Sequence, residues 1–222
     1  MILDIKNTTV YLVSPGTDKY KDRVLTVFRR LIDEGFSKIE FVKSLPGLNG
    51  AASLTHTVLH IFKRELNNDK PFIILEDDCA FFNKYEQIEI PDNFDMLYLG
   101  VSKWAYTHPI ETFYYMDFRP PVIENSPETV QSYDDVLTKL KGMTATHAIL
   151  YNSRNFIKRF IEILNDINKH YDLSYLPHDL LFSALHSVHN VFALKQPMFY
   201  QDSTLGGQED VTKLTFNGQR YC

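Results

Sequence analysis

Four consecutive apolar residues, Phe72-Ile73-Ile74-Leu75, run directly into three carboxylates, Glu76-Asp77-Asp78. A strand that is apolar at every position, not at alternate ones, is buried on both faces. That is the pattern of a central strand in an α/β sheet. The carboxylates then fall at the carboxyl edge of the sheet, where ligand crevices of such folds lie. Three adjacent negative charges repel one another, and burying them without compensation is costly. A divalent cation such as Mg²⁺ or Mn²⁺ relieves that repulsion, because it prefers oxygen ligands and bridges a carboxylate to a diphosphate. The plain alternative is a solvated loop start, or acids paired with basic side chains. The triplet by itself does not choose.

The surrounding pattern predicts an α/β chain. Thr8–Ser14 reads as a buried strand ended by Ser14-Pro15-Gly16. Asp18–Glu34 reads as a helix with Val24, Val27, Phe28, Leu31 and Ile32 on one stripe and Gly35 at its end. Lys38–Val42 reads as a second strand, which completes a β-α-β opening and implies parallel pairing. A loop over Ser44–Gly50 precedes a helix over Ala51–Leu66. Further strands are expected at Asp95–Gly100, Thr144–Tyr151 and Val191–Leu194. Helices are expected from Asn152 or Ser153 to Ile167 and from Pro177 to Val188. Val101–Leu140 mixes aromatic residues with prolines and reads as loops, short strands and at most one helix.

With 222 residues and 44% hydrophobic composition, the chain is long enough for one domain with a substantial core. The formal net charge of −5 and the scattered basic pairs exclude the electrostatic footprint of a nucleic-acid binder. No run approaches the ~20 apolar residues of a membrane span. The first residues lack the pattern of a signal peptide. Cys79 and Cys222 are too few and too far apart for a disulfide framework; both read as free thiols, with a single bridge between them the alternative the sequence leaves open. Together these features lead to the expectation of a cytoplasmic protein.

Asn49, Gly50 and Thr55 stand at a loop-to-helix start, where free backbone N–H groups suit phosphate or ribose oxygens; ordinary capping explains them equally well. His56 and His60, four apart, share a helix face, but no third and fourth zinc ligands accompany them. Trp104, Tyr106, His108, Tyr114 and Tyr115 form an aromatic set suited either to stacking on sugar rings or to core packing. Gln201 and Asp202 follow the last strand, as a closing loop over a ligand or as plain surface.

Leu75-Glu76-Asp77-Asp78 after a hydrophobic strand resembles the acidic motif of glycosyltransferase family 25, the lipopolysaccharide- and collagen-type sugar transferases. Upstream, Ala51-Ala52-Ser53-Leu54-Thr55-His56 occupies the place of that family's Gly-Cys-x-x-Ser-His. His56 matches, Thr55 replaces Ser, and the Gly-Cys pair is missing. Tyr98-Leu99-Gly100, Thr146–Tyr151, His178-Asp179, Val191–Pro197 and Gln201-Asp202-Ser203 resemble later family segments, in order over roughly residues 8–205.

The resemblance implies a GT-A-type fold, Rossmann-like, with a mixed central sheet flanked by helices in a single domain over residues 1–222. Its nucleotide-sugar half would cover about 1–100, its acceptor half 101–205, and a tail 206–222. It implies transfer of a hexose from a nucleotide sugar, with UDP-galactose or UDP-glucose leading, to a hydroxyl of a glycan or protein acceptor. On that reading Asp78 holds Mn²⁺ or Mg²⁺, while Val13, Ser14, Asn49, Gly50, Thr55, His56, Glu76 and Asp77 meet the donor. Trp104, Tyr106 and His178 meet the acceptor, and Asp179 takes the proton of the attacking hydroxyl. Asp179 also fits a simpler role as an acid favoured by a helix N-terminus.

Two other classes compete. One is a different metal-dependent phosphate enzyme, a nucleotidyltransferase or phosphohydrolase. No Gly-x-x-x-x-Gly-Lys sequence is present, which argues against Walker-type chemistry. The other is a non-catalytic nucleotide- or carbohydrate-binding domain that keeps the fold.

Overall fold

The computed structural model describes residues 1–47, 49–100, 104–105, 123–124, 130–170 and 178–207. Strands β2 (Thr9–Ser14), β3 (Ile39–Lys43) and β4 (Phe72–Glu76) lie parallel, with β2 between the other two. Helix α1 (Lys21–Asp33) links β2 to β3, and α2 (Gly50–Glu65) links β3 to β4. The expected β-α-β opening is therefore present. The expected architecture is present too: a mixed α/β domain whose eight-stranded sheet is flanked by helices, a Rossmann-like arrangement.

Beyond β4 the sheet changes direction. β12 (Ala148–Tyr151) runs antiparallel to β4 on one side and to β7 (Met96–Tyr98) on the other. β13 (Val191–Leu194) lies parallel to β7, and β11 (Leu137–Leu140) and β10 (Val130–Ser132) complete the edge. The order is β10-β11-β13-β7-β12-β4-β2-β3.

Strand periodicity divides the core into two layers. Tyr11, Val13, Phe72, Ile74, Tyr98, Ile149 and Tyr151 face α2, α3 (Arg154–His170) and α4 (His178–Leu185). Val10, Leu12, Ile73, Leu75, Leu97, Ala148 and Leu150 face the layer that contains Val27 and Leu31 of α1. β4 is buried on both faces because it feeds both layers, as its unbroken apolar run requires. Phe62 centres the first layer, with Tyr151 at 4.9 Å and Phe160 at 5.2 Å between ring centroids. Truncating so large a buried ring costs about 3–5 kcal/mol.

The helix ends follow local chemistry. Gly35 sits at φ +90°, with its N–H on Ile32 O, while the N–H of Phe36 reaches Leu31 O. That is a Schellman closure, and Phe36 is buried behind it. Asn49 caps α2 by accepting from Ala52 N at 2.9 Å. Ser153, not Asn152, caps α3, its hydroxyl accepting from Phe156 N. The stripe on α1 is narrower than its sequence implies. Val27 and Leu31 are buried, whereas Phe28 and Ile32 stay 39% and 48% exposed.

Short pairings complete the fold. β1 (Ile2–Asp4) pairs with β6 (Gln87–Glu89), and β5 (Cys79–Phe81) pairs with β14 (Phe199–Gln201). β8 (Trp104–Ala105) pairs with β9 (Ile123–Glu124). The expected strand over Thr144–Tyr151 begins only at Ala148, and the helix expected to Val188 ends at Leu185 in a 3-10 turn. Cys79 is buried, its thiol donating to His147 O at 3.2 Å; Cys222 lies outside the described residues. No described helix is long and apolar enough to cross a membrane.

Candidate functional site

α1 packs on one face of the sheet and α2 on the other, so the chain reverses its winding between β2 and β4. In an open α/β sheet that switch point leaves a crevice beyond the strand ends. A cleft of about 360 Å³ lies there. Val13, Ser14 and Pro15 leave β2 along its floor, and Glu76 and Asp77 leave β4. Gly50, Ala51, Ser53 and Leu54 form a wall from the first turns of α2. Tyr20 and Arg23 enter from the start of α1, and Ser44 from the end of β3.

The two walls carry opposite electrical character. The N–H groups of Gly50 and Ala51 precede the intrahelical hydrogen-bond ladder of α2, and the positive end of the helix dipole lies with them. Facing them are carboxylates in poor contact with water. Asp77 and Asp78 are only 4% and 8% exposed. Ser14 donates its hydroxyl to Asp77, and Arg23 bonds the other Asp77 oxygen. The same Arg23 lies 3.6 Å from Asp78 Oδ2. The pairing of the acids with a basic residue, one of the alternatives open from the sequence, is thus realised in part.

It is incomplete. Asp78 Oδ1 is buried with no hydrogen-bond partner among the described residues. Burial pushes the Asp78 carboxyl above its ordinary range, while Arg23 pulls it the other way. Glu76 is pushed up to about 8, by burial first and then by the charge of Asp78. Thr146 holds it through a 3.4 Å hydroxyl contact. That raised proton affinity favours the protonated form of Glu76, which donates a hydrogen bond.

The second half of the chain reaches the same place through α4. Thr55 Oγ1, buried in α2, accepts the backbone N–H of His178 at 3.2 Å and lies 3.3 Å from His178 Nδ1. That contact sets the first residue of α4. Asp179 follows, and burial raises its carboxyl above the ordinary range. Its negative charge is felt at both Glu76 and Tyr98. Tyr98 in turn shares a 3.1 Å hydrogen bond with His186 Nε2. The ends of β4, β7 and α4 thus share one poorly hydrated electrostatic environment.

Not every residue singled out from the sequence lines the cleft. Val13, Ser14, Gly50, Glu76 and Asp77 do. Asn49 serves as the α2 cap, and Thr55 is fully buried behind that helix face. His56 Nδ1 meets Pro46 O at 2.9 Å, which fixes the loop before α2. His60 is exposed. His178 is buried against Thr55 and the ring of Phe182. Tyr106, His108, Tyr114, Tyr115 and the side chain of Trp104 lie outside the described residues. Asp202 is buried and ties its N–H to Asp78 O at 2.8 Å, so the turn after β14 packs directly on the acidic segment.

The residues that sequence reasoning missed are Tyr20, Arg23 and Ser44. Arg23 precedes the apolar stripe of α1 and reads as a solvated helix residue. Only the fold brings it to residues more than fifty positions away. Among the described residues, no three His, Cys, Asp or Glu side chains form a complete metal-ligand group. The buried, unpaired Asp78 Oδ1 nonetheless suits a hard cation that takes one or two protein oxygens and fills its shell with phosphate and water.

No family model matches the chain, so the resemblance to glycosyltransferase family 25 gains no support there. No curated protein matches it either. Among solved structures, the nucleoside-diphosphate-sugar pyrophosphorylase from Vibrio cholerae RC9 is similar at 13% identity, over 84% of this chain and 72% of that one. The TM-score is 0.38, and a likeness of that size decides nothing about the chemistry of this chain.

Proposed function

We propose that this protein is a metal-dependent glycosyltransferase, moving a hexose from a nucleotide-sugar donor to a hydroxyl of a glycan or protein acceptor. One observation carries the reading. A single cleft at the β2/β4 switch point has a helix N-terminus on one wall and a carboxylate cluster on the other. A phosphate suits the helix wall but is repelled by the carboxylates. A nucleoside diphosphate resolves the conflict. Its phosphates meet the N–H groups of α2 and its ribose hydroxyls meet Glu76 and Asp77. A cation between diphosphate and Asp78 cancels the remaining repulsion.

In this reading Asp78 holds Mn²⁺ or Mg²⁺ through its unpaired oxygen. When bound, that cation supplies compensation for the charge left on the departing diphosphate. Val13, Ser14 and Tyr20 flank the nucleoside. Glu76, whose proton affinity burial raises, donates to a sugar or ribose oxygen. Asp179, whose proton affinity burial raises, accepts the proton of the acceptor hydroxyl as it attacks the anomeric carbon. The acceptor-side roles of Trp104, Tyr106 and His178, and the division at about residue 100, belong to the same proposal.

The test is product analysis with UDP-galactose and UDP-glucose in the presence of Mn²⁺, with water and simple sugars as acceptors. Release of UDP together with a new glycoside or free hexose supports transfer. Formation of sugar phosphate, or of pyrophosphate, instead assigns the cleft to another phosphate chemistry. Tight binding without turnover makes it a binding domain.

A further inference from the structure

Arg23 has two features that the donor reading leaves unused. Its guanidinium reaches two carboxylates at once, bonding Asp77 and lying 3.6 Å from Asp78 Oδ2. Yet its Nε is buried with no partner among the described residues, and so is Asp78 Oδ1. A donor without an acceptor and an anionic oxygen without a donor thus occur on the same ion pair. Buried polar groups are nearly always satisfied, and an exception calls for a cause, an ion or bound oxygen among them. Gly206, which ends the turn Ser203–Leu205, lies beside the arginine: a Cβ placed there would come within 3.2 Å of an Arg23 terminal nitrogen.

One ligand chemistry satisfies both orphans together. Nε calls for an anionic oxygen, and Oδ1 calls for a cation. A divalent cation chelated by a diphosphate presents both. A bare cation presents only one, and it meets the full positive charge of Arg23 beside Asp78. We infer that Arg23 is the resident counter-ion of Asp78, which a divalent cation replaces only when it arrives chelated by a diphosphate, whose oxygen Arg23 then takes. This rests on the diphosphate-binding reading above. Metal and nucleotide binding become mutually dependent, with Arg23 as the origin of the coupling.

The test is calorimetric titration of wild type, Arg23→Met and Arg23→Lys, first with Mn²⁺ alone and then with UDP at saturating Mn²⁺. Melting curves with and without Mn²⁺ establish that each variant is folded. Removing the arginine should strengthen binding of Mn²⁺ alone by about tenfold or more and weaken binding of UDP with Mn²⁺ by a similar factor. Arg23→Lys keeps the charge on a single flexible donor. It should fall between the other two on both measures, and it carries the test if Arg23→Met does not fold. UDP binding by wild type with unchanged Mn²⁺ affinity in the folded variants overturns this inference alone. Failure of wild type to bind UDP at any Mn²⁺ concentration overturns the diphosphate reading and the exchange with it.

Discussion

Thr55 and His178 stand 123 residues apart, and the hydroxyl of one accepts the backbone N–H of the other at 3.2 Å. The bond joins the helix whose N-terminus walls the cleft to the helix that carries Asp179. Thr55→Val preserves shape and removes the acceptor, leaving a buried N–H unpaired. Such an orphan costs about 1–3 kcal/mol. Urea denaturation should show that loss with an unchanged slope, and a stability equal to wild type would mean the contact does not hold α4 in place.

Asp179→Asn keeps the size of the side chain and removes its capacity to accept a proton. On the proposed chemistry, kcat falls by about 10²–10⁴-fold while the affinity for UDP with Mn²⁺ stays as in wild type. Full activity in the variant assigns Asp179 to its simpler place at the helix N-terminus. Steady-state kinetics beside a binding titration separates the two.

The pH dependence of stability has a defined shape. Burial lowers His147 to about 4 and His178 and His186 to about 3. Each is neutral in the fold and takes a proton on unfolding below its ordinary value near 6.5. Their contribution is therefore complete above pH ~6.5 and is lost as pH falls toward those folded values, each on the order of 1 kcal/mol per pH unit. Glu76, raised to about 8, has the opposite sign: its contribution is present below its ordinary range near 4.3 and is lost as pH rises to 8. Asp78 and Asp179, also raised, offset part of the histidine loss at the acid end. Three histidines outnumber Glu76, so stability should peak near pH 6.5 and fall on either side, more steeply toward acid. Denaturation midpoints measured from pH 5 to 8.5 check this; a maximum at the acid end contradicts it.

Much of this fold is legible because its central strands are unbroken apolar runs and its helices amphipathic. The apolar run before Glu76 places the acids at a strand end, and the β2-α1-β3 order places that strand in a parallel group. What escapes is contact between distant short segments. β5 and β14 pair through three residues each, and neither segment has a pattern of its own long enough to read. Arg23 escapes for a different reason. Helical periodicity assigns a residue to a face, but the ligand of that face lies on another strand. Phe28 and Ile32 fail in the reverse direction: the apolar stripe is real, yet only Val27 and Leu31 enter the core layer beneath α1.

Gly100 is fixed by a neighbour rather than by its backbone angles. A Cβ there would lie 2.0 Å from His147 Nε2, on a ring that is 1% exposed. The ring cannot withdraw into a packed core without displacing it. Gly100→Ala should cost about 1–3 kcal/mol or more, as overpacking does. Thermal denaturation should show a lowered midpoint, and an unchanged midpoint would show that the segment around His147 yields.

The most direct measurement of the central claim is calorimetric titration of UDP and UDP-hexoses, with and without Mn²⁺, into wild type and Asp78→Ala. Metal-dependent binding to wild type and its loss in the variant are expected, because Asp78, which directly follows the cleft-lining Glu76 and Asp77, holds the one buried carboxylate oxygen without a hydrogen-bond partner among the described residues. Binding that is equally strong without Mn²⁺, or retained in Asp78→Ala, contradicts the assignment of Asp78. Absence of binding under every metal condition removes the donor site altogether.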